Sequence, residues 1–496
     1  MDSLLPQLLA FPPHPSPQPP LSDSAYDEGI KAQISTLRKS SEKTLRQQTS
    51  GGESPLDVIN PALNTVPYTF ILIAYMSAYS KHGQKVIKLE SLWDKITIYL
   101  ETFDARQMRY LGPEFIDVCD RAASISTNAG QRALCIAPIR DALLRLNPSG
   151  SVLTGLHIYL IKYALETRSY GVIAPIVEKP VLYYPGANDQ LKPKYLCDLS
   201  LSPAAYITIN SGFLSKLKSL DIMEYFYNSG MIMIGLRRWE DALDCLESVI
   251  TYPAKEGAVS KVMIEAYKKW ALVSILAEGK LLTLPKTTSS SAAKSYHVLA
   301  KPYEAVAQIF ETGTASRLKA ECDYSSSLWQ KDSNLGLILQ ILNAYQRFQI
   351  RNLGKVYSKI SIPELLNLTM SAETGNKLSG PNEMEALIRN MIQDGSLMAT
   401  LSNPPGQPAV LAFDNKGPIL TEAQMKAEFA AAAARISRVT QNIKQTDHML
   451  THEKEYIAHM KKQKASMSKF GTHDQGIGGE MDWNVMDDEE LMTGVY

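Results

Sequence analysis

Apolar residues recur at intervals of three and four along most of the chain, from residue 22 to about residue 330. This spacing aligns apolar side chains along one face of a helix and predicts a succession of amphipathic helices. Two stretches repeat one pattern, in which a helix, a short basic turn ending in an aromatic residue and a second helix follow one another. The turns are Arg168-Ser169-Tyr170, within residues 153–180, and Arg237-Arg238-Trp239, within residues 222–253.

Helix pairs of this kind bury their apolar faces by stacking on neighbouring pairs, so the repeated pattern indicates a solenoid. Against the tetratricopeptide pattern, Gly235 lies two residues early, and Leu246 and Val249 replace the usual aromatic residue and alanine. We therefore predict a mainly α protein with a tetratricopeptide-like helical-repeat solenoid over residues 22–330, rather than a regular tetratricopeptide array.

The pattern changes after residue 330. Residues 335–350 are apolar on most of a helix circumference, which predicts a central, buried helix. A capping box at Ser361-Ile362-Pro363-Glu364 begins a short helix, and residues 380–393 form another. Residues 396–413 predict a hairpin around a Pro/Gly turn. Three helices followed by a hairpin is the order of a winged helix, which we assign to residues 331–415. The open edge of its small sheet could pair with the sheet of a neighbouring protein.

Residues 421–467 contain neither Gly nor Pro and predict one long helix within a terminal segment, residues 419–468. An apolar side chain recurs at every seventh position, which is half of a coiled-coil seam. These residues, called the apolar row below, are Phe429, Ile436, Ile443, Leu450 and Ile457. We predict that they pack in a bundle of partner helices. The alternative is a helix that folds back on its own domain.

The two ends of the chain have compositions that disfavour a packed fold. Residues 1–21 form a leader with six prolines between positions 11 and 20, and proline excludes interior helix or strand. Within the segment 469–496, the last 26 residues carry seven acidic side chains and no Lys or Arg. Mutual repulsion opposes compaction of such a segment. We predict a disordered Pro-rich leader and a disordered acidic tail.

The overall composition excludes several classes of protein. The 496 residues include 51 basic and 51 acidic side chains, 45% hydrophobic residues and five cysteines without a CxxC pair. Balanced charge gives no net field to attract nucleic acid or an anionic membrane, and unclustered cysteines are typical of a reducing compartment. The apolar stretch 66–79 is too short to span a bilayer, and the leader is unlike a signal peptide. We expect a protein of the cytoplasm and nucleus without a membrane partner.

Motifs for chemistry are absent from the sequence. The pair His448 and His452 lacks the glutamate of an HExxH zinc helix, since Met449 stands in its place. Gly279 does not belong to a phosphate loop and is predicted to be the left-handed residue that ends a helix. Cys245 lies in an amphipathic helix and is predicted to be a core residue rather than a nucleophile. We expect no catalytic, metal-binding or cofactor-binding residue, no small-molecule substrate and no enzymatic activity.

The charges of the predicted winged helix argue against a nucleic-acid partner. The helix that would enter a groove carries Glu383 and Glu385, with Asp394 at its end, against a single Arg389, and phosphate contact needs cations. Four cations, called the basic stripe below, recur at four-residue spacing: Arg347, Arg351, Lys355 and Lys359. They are either a solvated flank or a docking face for an acidic partner.

A helical-repeat array that leads into a winged helix and a long terminal helix resembles the PCI-domain family. This family scaffolds the proteasome lid, the COP-nine signalosome and translation initiation factor three. The resemblance to the signalosome members is closer in two stretches. The first runs from Glu224-Tyr225-Phe226-Tyr227-Asn228-Ser229-Gly230-Met231-Ile232 to Leu284-Pro285-Lys286, and the second comprises Leu378-Ser379-Gly380-Pro381 and Met391-Ile392-Gln393-Asp394-Gly395.

The resemblance implies a PCI domain whose helical part begins at about residue 206. It also implies a non-catalytic scaffold subunit of the complex that removes a ubiquitin-like modifier from cullins and so regulates cullin–RING ubiquitin ligases. The implied partners are the other PCI subunits and the metalloprotease-type subunits, one of which holds the catalytic metal, and indirectly the cullin–RING ligases. The alternative is a PCI scaffold subunit of the proteasome lid or of translation initiation factor three.

Overall fold

A computed structural model describes residues 4–15, 21–184, 193–253, 259–403, 407–414, 421–451, 457–458 and 461. The chain divides into two units, Met1–Gly417 and Pro418–Tyr496. Within the described residues, no helix is both long enough and apolar enough to cross a membrane.

The first part of the solenoid packs around a helix that is buried on almost all sides. This helix, Thr65–His82, contacts the helices Asp23–Lys39, Glu42–Leu45, Leu89–Thr102 and Gly112–Asn128, and its apolar residues contribute to one continuous core. The helices of this part are α1 (Leu5–Leu9), α2 (Asp23–Lys39), α3 (Glu42–Leu45), α4 (Pro55–Val58), α5 (Thr65–His82), α6 (Leu89–Thr102), α7 (Ala105–Met108), α8 (Gly112–Asn128) and α9 (Ile136–Leu146). Short 3-10 turns at Gly83–Lys85 and Arg132–Cys135 connect some of them.

The two predicted helix pairs are present in the second part of the solenoid, and each turn opens with a left-handed arginine. Arg168 has φ 56° and Arg237 has φ 57°. A Cβ at Gly235 would lie 2.6 Å from a ring carbon of Tyr170, so glycine at this position lets the aromatic residue of the first turn pack closely against the second pair. The helices are α10 (Gly155–Thr167), α11 (Tyr170–Val177), α12 (Pro203–Tyr206), α13 (Ser219–Gly235), α14 (Trp239–Ile250) and α15 (Lys261–Glu278).

A second core forms around α15, where Trp270 is fully buried. It is enclosed by α16 (Ser290–Leu299), α17 (Lys301–Thr312), α18 (Ala315–Tyr324), α19 (Ser326–Lys331) and α20 (Leu335–Leu353). The prediction that α20 is central is confirmed on one face, where Ile338 and Ile341 are buried. The opposite face differs from that prediction, since Leu339 is 55% exposed there.

A winged helix follows. It contains β1 (Lys359–Ser361), α21 (Ile362–Leu368), α22 (Pro381–Gln393), β2 (Ala399–Ser402) and β3 (Val410–Phe413). The three strands form an antiparallel sheet in the order β1-β3-β2, with Ile360 and Leu401 both opposite Leu411. The predicted hairpin is therefore present as β2 and β3, whereas β1 was not predicted. Ile350 of α20 packs in the winged-helix core and Ile341 in the solenoid core, so α20 serves both parts.

The leader differs from its prediction over residues 4–15. These residues include α1 and pack against the N-terminal end of the solenoid, where Leu8 is only 4% exposed. The prolines do exclude a longer helix, but the apolar side chains that precede them pack against the core.

Among the described residues of the second unit is the long helix α23 (Glu422–Thr451). Its existence agrees with the predicted terminal helix up to residue 451, beyond which only residues 457–458 and 461 are described. The predicted disordered tail, residues 469–496, lies outside the described residues.

Candidate protein-interaction surfaces

The first candidate surface is the edge of the winged-helix sheet that β2 forms. Because β3 occupies the centre, β2 pairs with it on one side; on the other side β2 pairs with no strand of the described chain. Thr400 and Ser402 are exposed along this strand, whereas Ala399 is buried. The outward backbone groups of an edge strand can extend a neighbouring sheet. The opposite edge, β1, has only three paired residues, so β2 offers the longer edge.

The acidic helix of the winged helix, α22, has its charges engaged locally. The Arg389 guanidinium lies 3.2 Å from Glu385, and the Asp394 carboxylate lies 3.4 Å from Arg347 of α20. The Glu383 carboxylate accepts a backbone N–H just before the helix at 3.0 Å. The only Lys or Arg of the helix therefore already faces a carboxylate, and this arrangement offers little for binding a phosphate backbone.

The basic stripe is divided among three consecutive elements of the chain. Arg347 and Arg351 lie in the last turns of α20, but this helix ends at Leu353, so Lys355 lies in the following turn and Lys359 begins β1. At the helix end, a Cβ on Gly354 would approach the Phe413 ring of β3 to 2.9 Å. Close packing of the sheet at this point separates the four cations between a helix, a turn and a strand.

The individual cations of the stripe differ in their surroundings. Arg347 pairs with Asp394, and the Arg351 guanidinium lies 4.9 Å from the centre of the Phe348 ring. Lys355 and Lys359 are exposed. Any acidic partner would therefore meet the two lysines more readily than Arg347, whose charge is already neutralised by a carboxylate.

The second candidate surface is the apolar row of α23. Phe429 is 69% exposed, Ile436 67% and Ile443 55%. Ile457 is also exposed, whereas the Leu450 side chain lies outside the described residues. Large apolar side chains exposed in a continuous row are typical of a surface that another protein covers.

Gly279 and Cys245 both occupy structural positions, at the end of α15 and within α14. Gly279 ends α15 with φ 76°, which confirms its prediction. Cys245 is half-buried in α14 rather than fully buried in the core, and burial raises the pKa of its thiol to about 12, so this thiol is protonated near neutral pH. The described residues include no group of three His, Cys, Asp or Glu side chains that could hold a metal ion. The side chains of His448 and His452 lie outside the described residues.

A buried polar network in the second solenoid core, at the turn before α20, was not identified from the sequence. The Lys269 ammonium of α15 donates to Asn334 Oδ1 at 2.6 Å, and Asn334 Nδ2 donates to the Tyr303 hydroxyl at 2.9 Å. That hydroxyl donates to Asp332 Oδ2 at 2.7 Å. These four residues, called the joint network below, fix the turn before α20, in which Ser333 has φ 55°. The sequence feature that could have indicated this network is Lys269, a lysine within the apolar run of α15.

Comparison with known proteins adds a finding that covers the entire chain. A family model described as "COP9 signalosome complex subunit 3, N-terminal helical repeats" matches residues 28–199 and 204–292. A Neurospora crassa protein named COP9 signalosome complex subunit 3 is 33% identical over 100% of this chain and 99% of its own length. An Emericella nidulans protein of the same name is 29% identical over 98% of this chain and 100% of its own length.

Proposed function

The chain belongs to the COP9 signalosome complex subunit 3 family, and we propose that it is a non-catalytic scaffold subunit of that complex. The similarity extends over the full length of both relatives, and neither is named as a subunit of the proteasome lid or of translation initiation factor three. The observation that carries the scaffold role is the exposed apolar row of α23, because a scaffold must offer surfaces that only assembly buries.

The activity of the assembled complex is part of the same proposal. The resemblance to the PCI family implies that the signalosome removes a ubiquitin-like modifier from cullins. It also implies that a metalloprotease-type subunit holds the catalytic metal. This chain would contribute by holding other subunits in place, and its link to cullin–RING ligases would be indirect. We propose that it acts in the cytoplasm and the nucleus, without a cofactor, a nucleic-acid partner or a membrane partner.

Assembly is proposed to use two surfaces. The β2 edge would pair with the winged-helix sheet of a neighbouring subunit through main-chain hydrogen bonds. The apolar row, with Leu450 as a further member, would pack in a bundle of partner helices. Burial of apolar area contributes about 25 cal/mol per Å², so a row of large side chains could supply several kcal/mol per subunit.

If the apolar row packs in a helix bundle, the double variant Ile436→Asp/Ile443→Asp is expected to prevent assembly, because two carboxylates would enter an apolar interface. The matched control is Ala434→Asp with Gln441→Asp, which adds the same charges at the same seven-residue spacing on the opposite side of α23. The measurement is affinity purification of the tagged chain from native extract, with mass spectrometry of the eluate and a cullin deneddylation assay. We expect the control to retain signalosome subunits and activity, and the row variant to lose both.

Two results of this experiment would contradict the proposal. If the row variant still carries signalosome subunits, the apolar row does not bind partner helices and the alternative of a helix folded on its own chain is favoured. If the unsubstituted chain carries subunits of the proteasome lid or of initiation factor three, the scaffold architecture stands but the assignment to the signalosome is wrong.

The basic stripe is proposed as a docking site for an acidic segment of a partner subunit. Lys355→Glu with Lys359→Glu is expected to weaken assembly at low salt and to have a smaller effect at high salt, because ions screen exposed charges beyond about 10 Å at 0.1 M. Lys85→Glu with Lys88→Glu makes the same change in charge far from the stripe in the sequence and serves as the control. Salt titration of the purified complex measures the difference, and identical salt profiles for both variants would remove the docking role.

A further inference from the structure

We propose that the N-terminal end of the solenoid is a peptide-binding groove that residues 4–15 occupy as a built-in ligand. The occupant presents a leucine, an aromatic residue three positions later and then two prolines, which are Leu8, Phe11, Pro12 and Pro13. A partner segment with this pattern would compete with the leader for the groove, which would make the leader an autoinhibitory contact.

Amide side chains of the groove bind the backbone of the leader. Gln33 of α2 donates through Nε2 to the carbonyl oxygens of Leu8, at 2.9 Å, and Phe11, at 3.0 Å. Asn64, just before α5, donates to the same Phe11 oxygen at 3.4 Å. Gln33 and Asn64 are both buried. Because every peptide presents carbonyl oxygens, these contacts are available to a segment from another protein.

Two side chains anchor the segment. Leu8 is buried against the solenoid core, and the Phe11 ring packs over Gly29 of α2 with its centre 5.5 Å from that of the Tyr26 ring. A methyl group at Gly29 would overlap the Phe11 ring. Glycine inside a helix is unfavourable compared with alanine. The space that Gly29 leaves for the Phe11 ring explains why a glycine stands in the middle of α2.

The leader does not fill the groove. A cavity of about 240 Å³ remains beside α1, lined in part by Leu8, Gln33 and Thr36. A second cavity, of about 280 Å³, lies beside Pro12 and Pro13. Within the described part of the chain, Gln33 Oε1 is buried and receives no hydrogen bond. A bulkier segment with a donor at this oxygen would satisfy a group that the leader leaves unsatisfied.

The five-residue helix α1 depends on the groove for its order, because a helix this short is not stable in water by itself. Exchange of the leader for another segment would therefore leave the solenoid helices in place. The leader has the advantage of covalent attachment, which supplies an effective concentration of about 1 mM for a short linker. A competing segment must overcome this advantage through better contacts.

The test uses the full chain with Leu8→Asp and Phe11→Ala, which vacates the groove, and a fluorescent peptide of residues 4–15. We expect saturable binding to this opened chain, and binding to the unsubstituted chain that is weaker by about tenfold or more, because the attached leader competes. Fluorescence anisotropy measures both affinities, and circular dichroism checks that each protein is folded.

A third substitution in the opened chain locates the binding site. Gly29→Ala favours the helical conformation of α2 but obstructs the aromatic ring, so it should lower the peptide affinity by about tenfold or more without unfolding the protein. Gly336→Ala is the control, since a Cβ at this helical glycine of α20 meets no atom within 4 Å. We expect it to leave the affinity unchanged.

Each of the following results would overturn the proposal. The opened chain could fail to bind the peptide at concentrations up to about 1 mM, the effective concentration of a tethered leader. The unsubstituted chain could bind it equally well, which would place the peptide elsewhere. Gly29→Ala could have no effect on affinity. Finally, an opened chain that does not fold would mean that the leader is an integral part of the core.

Discussion

Asn334→Leu is expected to destabilise the protein by about 3–5 kcal/mol, because it leaves the buried Lys269 ammonium without its acceptor. Lys269 is 3% exposed and Asn334 is fully buried, and burial lowers the pKa of Lys269. The nearby Asp332 carboxylate binds Lys268 and Tyr303, so it is no ready replacement for the lost amide oxygen. Urea denaturation of the purified chain measures the loss.

The matched experiment combines Asn334→Leu with Lys269→Met, which removes the charge together with its partner. Replacing both members of a buried polar pair by apolar side chains costs much less than removing one. The double variant should therefore recover most of the stability, and the coupling follows from a double-mutant cycle. Equal losses for the single and double variants would show that the Lys269–Asn334 hydrogen bond does not stabilise the joint network.

The joint network bears on function as well as stability, because it holds the turn that leads into α20. One end of α20 packs in the solenoid core and the other in the winged-helix core. A loosened turn would leave the β2 edge less firmly positioned relative to the solenoid. We therefore expect Asn334→Leu to weaken assembly even under conditions where the chain remains folded.

Acidification from pH 6.5 to about 4 is expected to remove about 3 kcal/mol of unfolding free energy through His157 alone. Burial lowers the pKa of this histidine from 6.5 to about 4. In addition, the Thr154 backbone N–H donates to His157 Nδ1 at 3.3 Å, and the Thr154 hydroxyl lies 2.8 Å from the same nitrogen. The backbone contact requires an unprotonated Nδ1, and it caps the start of α10.

Acidification lowers the unfolding free energy because the unfolded chain binds the proton at a higher pH than the folded chain. Above pH 6.5 the imidazole is neutral in both states, and its contribution to stability is fully present. As the pH falls, the unfolded chain takes up the proton at 6.5 while the folded chain resists until about 4, so protonation favours unfolding throughout this interval. Below about pH 4 both states are protonated, and the contribution of His157 becomes constant.

His157→Gln isolates this effect, because glutamine can accept a hydrogen bond at the same capping position without titrating. Urea denaturation of both proteins between pH 6.5 and about 4 gives the two slopes. Carboxylates titrate in both proteins, so the difference between the slopes reports His157. We expect the variant to lose less stability than the unsubstituted protein by about 3 kcal/mol, and parallel curves would contradict the role assigned to this histidine.

The features predicted correctly depend on residues that are close together in the sequence. The turns at Arg168 and Arg237 separate helices whose apolar periodicity is visible in the sequence. Gly279 ends α15 because glycine tolerates the left-handed conformation that stops a helix. The hairpin of β2 and β3 follows from two short apolar segments around a turn. In each case the signal and the structure lie within a few residues of each other.

The features that were missed depend on contacts between distant residues. Lys359-Ile360-Ser361 has no strand signal of its own and forms β1 because β3 lies beside it. The four-residue spacing of the basic stripe does not show that α20 ends at Leu353, before Lys355, where Gly354 packs against the Phe413 ring. The leader was predicted to be disordered from its prolines, whereas its order over residues 4–15 comes from contacts with α2 and with Asn64, just before α5.

Local patterns are enough to specify the helical class, the order of solenoid, winged helix and terminal helix, and the apolar row of α23, because periodicity and turn residues act over a few positions. Three features depend on the tertiary fold: α20 serves two cores, Leu8 of the leader is buried in the solenoid core, and Lys269 is buried beside an asparagine 65 positions away. Such pairings arise when distant segments compete to bury apolar surface and to satisfy polar groups, and no local pattern specifies them.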